Sequence, residues 1–481
     1  MVGAPPKHDL TSGPIARTLL LFALPTLGSN VLQSLNGSIN TVWVGRFLGE
    51  SAISATSNAN LVMFLMFSLG FGFGMAATIL IGQSIGARDI VAARRTMGTT
   101  FGLFAIVSVA VAIGGWLGAP ALLRLLGTPP AALALALAYL RVIFLALPPM
   151  FLGVLLQMGL RGSGDAVTPL RFMLLSVALD AGLNPLLIAG IGPFPRLGIA
   201  GAAMATLIAN YTVLLATLVY IYVRDLPIRL RGAELRFLLP EPALLRAIIV
   251  KGLPMGLQML VMTLSGLVLM GLVNRQGVEV SAAYGIAQQL WTYVQMPALA
   301  VGAAVSTMVA QNIGAGRWGR VGRITRVGIA TNLVMTGAVI AAMLLFDRPL
   351  LGLFVARSSP VIAIARHIQL LVGWSFLMFG VTLVLFSTVR ANGAVVPPLI
   401  ILTIGLLVAR TSFAWGLIER GGPDIVWWSF PVGSAVSLLL AAFYYRYGGW
   451  RNARMLPASP ETTREQACAD GEPGGRLNPA G

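Results

Sequence analysis

The sequence predicts an all-α integral membrane protein in which twelve transmembrane helices form two similar lobes of six. Three observations support this prediction: long apolar runs fill the chain, Lys and Arg concentrate on one side of the predicted membrane, and three motifs recur at a near-constant spacing. Hydrophobic residues make up 57% of the 481 positions and charged residues 10%. A water-soluble fold of this composition would aggregate, and outer-membrane strands would show short alternating segments instead.

Each apolar run is long enough for a helix to cross about 30 Å of hydrocarbon, which requires roughly 20 residues. Charged residues, proline and glycine bound the runs. The predicted helices cover residues 15–44, 54–82, 97–119, 132–159, 167–190, 199–223, 247–273, 281–312, 325–346, 361–389, 395–418 and 426–446. An even number of helices returns both ends of the chain to one side of the membrane.

The basic residues support this helix count. When both termini and every second gap are assigned to the cytoplasm, those segments and their flanking helix ends hold 23 of the 33 Lys and Arg. The opposite side holds nine, and Arg410 lies inside a helix. Because cytoplasmic loops are enriched in Lys and Arg, both termini are expected to be cytoplasmic. The net charge of +17 therefore reports orientation, and no nucleic-acid partner is expected.

Three motifs of the first half recur in the second half. The pairs are Leu24-Pro25 with Leu253-Pro254, Gln83-Ser-Ile-Gly86 with Gln311-Asn-Ile-Gly314, and Arg161 and Gly164 with Arg390 and Gly393. The offsets are 229, 228 and 229 residues. A near-constant offset over three separated motifs indicates duplication of a six-helix unit. Because each unit has an even number of helices, an axis along the membrane normal should relate the two lobes.

The repeat and a basic central gap divide the chain into five predicted segments. These are an N-terminal segment 1–14, a first lobe 15–223, a linker 224–246, a second lobe 247–446 and a polar tail 447–481 that is expected to be disordered. The single cysteine, Cys468, lies in the tail without a disulfide partner. No P-loop or enzyme motif is present, so neither ATP-driven transport nor catalysis is expected.

Four further stretches, in this order, are specific in combination. They are Val44-Gly45-Arg46 with Leu48-Gly49, residues 160–165 (Leu-Arg-Gly-Ser-Gly-Asp), residues 198–206, and residues 311–316 (Gln-Asn-Ile-Gly-Ala-Gly). With them the chain resembles the multidrug and toxic compound extrusion (MATE) family over roughly residues 14–447, and its DinF-like bacterial branch in particular.

The resemblance implies a V-shaped pair of lobes in a bacterial inner membrane. In this family a proton or sodium gradient drives the export of mostly cationic, amphipathic compounds. The expected partners are therefore drug-like small molecules and membrane lipids. We expect a monomer that is not an enzyme and needs no cofactor beyond the coupling ion, although the sequence does not determine the oligomeric state.

Asp180 is the acidic residue that lies deepest in the predicted membrane. The other fifteen Asp and Glu fall in gaps, helix ends or tails, whereas Asp180 lies about 15 Å from the outer end of helix five. An ionised carboxylate is costly in a bilayer unless water, a cation or a partner faces it. Asn184 follows one turn later on the same helix face. This placement is typical of an ion pathway.

Asn40, Asn184 and Thr206 are predicted to lie with Asp180 in the outer half of the first lobe. These four side chains offer the oxygens that a hard cation such as Na⁺ needs, and Asp180 could equally take up a proton. The resemblance implies that the family's cation site lies at these positions. The chain departs from the family there, because helix one usually carries Asp at the position of Asn40 and helix five usually reads Asn then Asp. The identity and number of the coupling ions stay open.

A structural role is the alternative for these residues. Asp180 could be hydrogen-bonded within its lobe or paired with Arg410, which is predicted at a similar depth. Arg410 follows a family pattern in helix eleven, and we favour a structural anchor, because a fixed cation would repel cationic compounds. Asn40 and Thr206 could simply join helices by hydrogen bonds.

The second lobe offers candidate cavity residues, namely Gln258, Met259, Tyr284, Gln288, Met296 and Arg410. Methionine thioethers adapt to varied apolar ligands, although ordinary packing explains them equally well. Pro25 and Pro254 each interrupt the first helix of a lobe, which permits either a hinge that closes the cation site or a static kink.

The main functional hypothesis is a secondary antiporter, in which the lobes rock while an ion and a drug bind in turn. The alternative is a flippase of lipid-linked precursors, which would need a strongly cationic cavity; Arg410 alone is weak support. A membrane-embedded transferase would need paired acids or metal ligands at one depth, and the sequence offers none.

Overall fold

The computed structural model describes residues 10–48, 50–125, 130–191, 195–352 and 360–456. Helices form nearly all of these ranges, and no strand occurs within them. The first lobe consists of α1 Ile15–Leu48, α2 Glu50–Gly86, α3 Ile90–Leu125, α4 Pro130–Gly162, α5 Val167–Ala189 and α6 Ile199–Val223.

The second lobe follows a short 3₁₀ helix at Gly232–Leu238. Its helices are α7 Pro242–Asn274, α8 Val278–Gly314, α9 Trp318–Leu345, α10 Asp347–Leu351, α11 Pro360–Val372, α12 Ser375–Ala391, α13 Val396–Leu402, α14 Arg410–Gly421 and α15 Asp424–Tyr447. A π-helical segment, Thr403–Ala409, joins α13 to α14 without a break.

The predicted all-α membrane fold is confirmed, and the described helices are consistent with twelve spans. Ten helical stretches in the described part are long and apolar enough to cross a membrane, with α13, the π segment and α14 counted as one stretch. The pair α11 and α12, bent by 44°, provides an eleventh span. The remaining span is α2, a 37-residue helix whose apolar part includes Gly70–Gly86.

Several helices extend beyond their predicted ends. α3 begins seven residues before the predicted start, where the Asp89 carboxylate accepts a hydrogen bond from the Ala92 backbone N–H at 2.9 Å. α9 likewise begins seven residues early, directly after the turn at Gly316, which has φ +69°. Arginines end the apolar run in both cases but do not end the helix, because the helix continues beyond the hydrocarbon. Hydropathy therefore predicts the membrane spans more accurately than it predicts where the helices begin and end.

The linker is structured and packs on the first lobe. Its 3₁₀ helix lies against α3 so closely that a methyl group at Gly98 or Gly102 would collide with it. Arg94 forms an ion pair with Glu234 at 2.9 Å. Asp225 pairs with Arg231 and Arg229, and these arginines hold the pKa of the Asp225 carboxyl below its usual value.

The start of the polar tail is ordered, so the expectation of disorder from residue 447 onward is wrong for residues 447–456. A 3₁₀ helix, Gly449–Asn452, buries Trp450, whose indole N–H donates to the Tyr445 carbonyl at 2.8 Å. The Asn392 amide donates to the carbonyls of Trp450 and Arg451. Residues 457–481, which the sequence also predicts to be disordered, lie outside the described residues.

The lobes share one apolar core at one end of the molecule and have separate cores at the other. The shared core joins Ile79 and Leu80 of α2 to Met255 of α7 and Val305 of α8. Elsewhere the first lobe packs around Tyr139, Leu140 and Ile188, and the second around Leu269, Tyr284 and Trp427. This arrangement is the V shape that the resemblance implies. We call the end with the shared core the joined end.

Two repeated motifs form symmetrical contacts at the joined end. The Gln83 side chain donates to the carbonyl of Ala391 at 2.7 Å, and the Gln311 side chain donates to the carbonyl of Gly162 at 3.1 Å. Each acceptor ends a helix of the opposite lobe, and the two acceptors are themselves separated by the repeat offset. Gly86 and Gly314 let the backbones approach, because a methyl group on either would collide with the facing backbone of Gln311 or Gln83.

We expect Gly86→Ala to lower the melting temperature of the purified protein. The added methyl group must displace backbone rather than a flexible side chain, and overpacking of this kind costs roughly 1–3 kcal/mol. Gly319→Ala is the matched control, because nothing lies within 4 Å of its added methyl group, and its melting temperature should stay the same or rise. Equal melting temperatures for the two variants would contradict a close contact at Gly86.

Candidate functional site

Asp180 lies inside the first lobe and is held by α6. Its side chain is 3% exposed, and the Thr206 hydroxyl donates to its Oδ1 at 3.0 Å. Asn184, one turn later, is fully buried and donates from its amide to the Asp180 backbone carbonyl at 2.8 Å. The structure thus brings three of the four predicted site residues into direct contact.

Two residues that the sequence analysis missed complete this site. The side-chain amide of Asn36 faces the Asp180 carboxylate, as does that of Asn184. Tyr139 of α4 is 2% exposed, and its hydroxyl lies beside the Asn40 amide and near the carboxylate. Asn36 could have been found, since it lies four residues before Asn40 on the same helix face. Tyr139 gave no signal, because one tyrosine in an apolar helix is indistinguishable from packing.

Several oxygen atoms around Asp180 and Asn40 receive no hydrogen bond within the part of the chain that the structure describes. The side-chain carbonyl oxygens of Asn36, Asn40 and Asn184 are buried, and none accepts a hydrogen bond from a described residue. An unpaired buried acceptor costs about 1–3 kcal/mol. Unpaired amide oxygens and a carboxylate are ligands of the kind that a hard cation takes. We call these six residues, Asn36, Asn40, Tyr139, Asp180, Asn184 and Thr206, the carboxylate site.

Within the described part of the chain, no Lys or Arg forms an ion pair with Asp180. Arg410, the partner proposed by the structural alternative, belongs to the other lobe. Its guanidinium carbon lies 3.4 Å from the centre of the Phe430 ring. The alternative in which Arg410 neutralises Asp180 is therefore wrong. The other structural alternative, in which Asp180 is hydrogen-bonded within its own lobe, and the role of Asp180 in ion binding both stay predictions.

Arg410 is itself a buried charge with no carboxylate partner among the described residues. It is 8% exposed, and its Nε atom has no hydrogen-bond partner in the same part of the chain. The repeat offset of 229 residues places the counterpart of Asp180 at Ala409, directly before Arg410. The first lobe thus buries an acid, and the second lobe buries a base one residue from the corresponding position.

The π segment fits closely against α15. A methyl group at Gly405 would collide with Ser437, and one at Gly433 would meet the Arg410 side chain. The Ser265 hydroxyl donates to the Leu406 carbonyl at 2.9 Å, which satisfies a backbone group inside the irregular turn. The sequence shows no signal for this turn, because its residues are as apolar as those of an ordinary span.

The candidate cavity residues of the second lobe do not form one group. Gln258 is buried near the joined end, where its Oε1 accepts from Arg390 at 3.2 Å. Tyr284 and Arg410 come together, because both contact the Phe430 ring.

The three other candidates differ in exposure. Met296 is buried, Met259 is partly exposed and Gln288 is exposed. A cavity-lining role stays a prediction for all six residues, and Gln288 has the most accessible side chain among them.

Both candidate hinge prolines lie within continuous helices. Pro25 is inside α1 and Pro254 inside α7. Near Pro25, the Ser29 hydroxyl donates to the Pro25 carbonyl at 3.0 Å and the Thr26 hydroxyl donates to the Phe22 carbonyl at 2.9 Å. Proline lacks the backbone N–H that an ordinary helix residue donates. These two hydroxyls therefore supply side-chain hydrogen bonds to backbone carbonyls next to the missing donor. A bend at Pro25 stays a prediction.

A family model described as MatE matches the chain twice, at residues 25–186 and 254–415. The two matches start 229 residues apart, which is the offset of the repeated motifs. Three relatives each align with at least 72% of this chain.

The chain is 35% identical over 433 residues to "Probable multidrug resistance protein YoeA" of Bacillus subtilis (strain 168), which covers 90% of this chain and 93% of the relative. It is 32% identical over 464 residues to "Probable multidrug resistance protein YpnP" of the same organism, covering 93% and 99%. It is 27% identical over 348 residues to "FAD transporter" of Shewanella oneidensis, covering 72% and 76%.

The fold is also similar to that of solved structures. The structure titled "Crystal structure of MATE in the straight conformation" superposes with a TM-score of 0.84 at 22% sequence identity, covering 91% of this chain and 96% of the other. At this identity the likeness supports the fold alone.

We expect Arg410→Met to leave the melting temperature unchanged or raised. The substitution keeps an apolar stem on Phe430 and removes a buried charge without a described carboxylate partner. Arg410→Ala should lower stability by about 2 kcal/mol, because the packing of the side-chain stem is lost as well. Thermal unfolding in detergent separates the two variants. If Arg410→Met is as destabilised as Arg410→Ala, the charge itself is needed.

Proposed function

The chain belongs to the MatE family of multidrug and toxic compound extrusion transporters, and from this premise we propose that it is a secondary antiporter. It exports amphipathic, mostly cationic organic compounds in exchange for H⁺ or Na⁺. The multidrug transport function and the multi-pass membrane location follow from the family and from the relatives named as multidrug resistance proteins. The coupling ion and the charge of the substrate are the parts that we propose.

The observation that supports ion coupling is the buried carboxylate without a fixed cation. Asp180 has a hydroxyl donor and two amides around it, while the amide oxygens of Asn36, Asn40 and Asn184 accept no hydrogen bond from a described residue. A proton or a sodium ion would neutralise the carboxylate, and sodium would also use the amide oxygens. The ion therefore binds where no Lys or Arg of the described ranges pairs with the carboxylate.

Transport requires the joined end to open. The symmetrical contacts of Gln83 and Gln311 hold the lobes together at that end, and they must break when the opposite end closes. The positive-inside distribution of Lys and Arg orients the joined end towards the cytoplasm of a bacterial cell. Both termini are then cytoplasmic, and the present conformation is the one that faces outward.

α1 connects the carboxylate site to the joined end. It contributes Asn36 and Asn40 to the site, and in its first half Leu19 and Phe22 belong to the shared core. A bend at Pro25 would move the two amides relative to Asp180 without breaking the shared core. Ion binding would in this way favour one shape of α1, and Pro254 would give α7 the same freedom.

A second candidate is the export of a compound that carries a negative charge. The observation that favours it is the buried guanidinium of Arg410 beside Tyr284 and Phe430, which would attract an anionic aromatic group. One relative is named as an FAD transporter, and FAD carries phosphates. A flippase of lipid-linked precursors would need more positive charge than this single side chain supplies.

We expect Asp180→Asn to abolish ion-driven export. Proteoliposomes that contain the purified chain would be loaded with ethidium, and export would be followed by fluorescence under imposed proton or sodium gradients. The wild type should export faster with at least one gradient, whereas Asp180→Asn should export at the rate measured without a gradient. Glu279→Gln is the matched control, because it removes one exposed acid from the first turn of α8.

Undiminished export by Asp180→Asn would exclude this carboxylate as the coupling site. A parallel assay with FAD in place of ethidium tests the second candidate. Export of FAD that is lost in Arg410→Met but retained in Glu279→Gln would support it, and export of ethidium alone would exclude it.

A further inference from the structure

Two adjoining cavities open at the joined end, the smaller between α9 and the end of α15, and the larger between the start of α9, Gln83 of α2 and the segment 451–456. Their volumes are about 630 and 400 Å³, and both are lined by Trp318 and Arg451. α9 begins at Trp318 and α15 ends at Tyr447, and both helices are membrane spans. The cavities therefore lie at the level where a membrane places its lipid headgroups.

The smaller cavity is lined by three arginines, Arg323, Arg326 and Arg451, all with exposed side chains. None of the three forms an ion pair with a carboxylate of the described residues. Within the same described ranges, no Asp or Glu lines either cavity. The pocket therefore holds three positive charges and offers no internal counter-charge, which favours an anionic ligand.

Aromatic side chains surround these arginines. Trp318 is 42% exposed at the rim, and Tyr445 and the buried Trp450 form part of the wall. The Arg451 guanidinium carbon lies 5.4 Å from the centre of the Trp450 ring. Tryptophan and tyrosine concentrate at the membrane–water interface because one end of each ring is apolar and the other polar.

The helices that bound the pocket present apolar side chains further into the membrane. Leu333 and Val334 of α9 are 40% and 71% exposed, and Leu439 and Phe443 of α15 are 70% and 65% exposed. A ligand with an anionic head and a hydrocarbon chain fits this sequence of surfaces, with the head among the arginines and the chain along α9 or α15. A free phosphate ion would contact only the arginines and would leave the apolar surfaces of α9 and α15 unused.

We propose that this pocket binds the headgroup of an anionic phospholipid. Arg323, Arg326 and Arg451 contact the phosphate, and Trp318 and Tyr445 lie at the glycerol level. A basic pocket between membrane helices on the positively charged side of a protein is a favourable lipid site. The larger cavity places the lipid beside Gln83, one of the two side chains that join the lobes. The proposal depends on the membrane spans alone and not on the transported compound.

Native mass spectrometry of the full-length protein tests this assignment. The protein would be mixed with phosphatidylglycerol or with phosphatidylcholine of the same acyl chains, and retained lipid would be counted. The test variant combines Arg323→Gln, Arg326→Gln and Arg451→Gln. The matched control combines Arg88→Gln, Arg95→Gln and Arg246→Gln, which removes the same charge from exposed arginines elsewhere at the joined end.

We expect wild type and control to prefer phosphatidylglycerol, and the test variant to lose about tenfold or more of that preference. A preference that falls equally in both triple variants would mean general attraction to a basic surface, and would overturn the proposal. Inorganic phosphate, added in a separate melting experiment, distinguishes the source. If phosphate raises the melting temperature of the wild type as much as phosphatidylglycerol does, the pocket binds phosphate without the lipid. That result would also overturn the proposal.

Discussion

The central physical constraint in this fold is a carboxylate that is buried in an apolar lobe and has no Lys or Arg ion-pair partner in the part of the chain that the structure describes. Asp180 is 3% exposed and takes one hydroxyl donor from α6, while the buried Arg410 of the other lobe lies over a phenyl ring. A buried charge of this kind is stable only when a proton, a cation or water reaches it. The polar side chains of α1, α4, α5 and α6 gather around this one group, and the proposed exchange of ion for drug depends on it.

The two lobes show how a duplicated unit can diverge. Their joined end keeps the ancestral symmetry, because Gln83 and Gln311 each bind the helix end opposite and Gly86 and Gly314 each permit close approach. The outer halves differ, because one holds the carboxylate site and the other holds Arg410 among aromatic rings. Movement of one lobe against the other requires matched surfaces at the joined end, whereas ion binding requires only one site in one lobe. In the proposed mechanism, the symmetrical contacts serve rocking and the unequal charges serve binding.

The sequence predicted the spans and the duplication well, since hydrophobic length and a fixed repeat offset are directly visible in it. It also predicted the position of Asp180, because an acid within an apolar run stands out. It could not predict the π-helical turn before Arg410, since the residues of that turn are as apolar as those of an ordinary span and its close fit at Gly405 against α15 is visible only in the structure. It missed Tyr139 for the same reason: only tertiary structure brings α4 to the carboxylate. Helix ends such as those of α3 and α9 were misplaced because arginines end hydrocarbon contact without ending the helix.

Infrared difference spectroscopy of the purified protein tests most directly whether Asp180 binds the coupling ion. Spectra of wild type and Asp180→Asn would be compared on exchange of sodium for choline at constant ionic strength, and on exchange of acidic for alkaline buffer. The account predicts that at least one exchange changes the carboxyl bands of the wild type, and that this difference is missing in the variant. Identical difference spectra from the two proteins would contradict it.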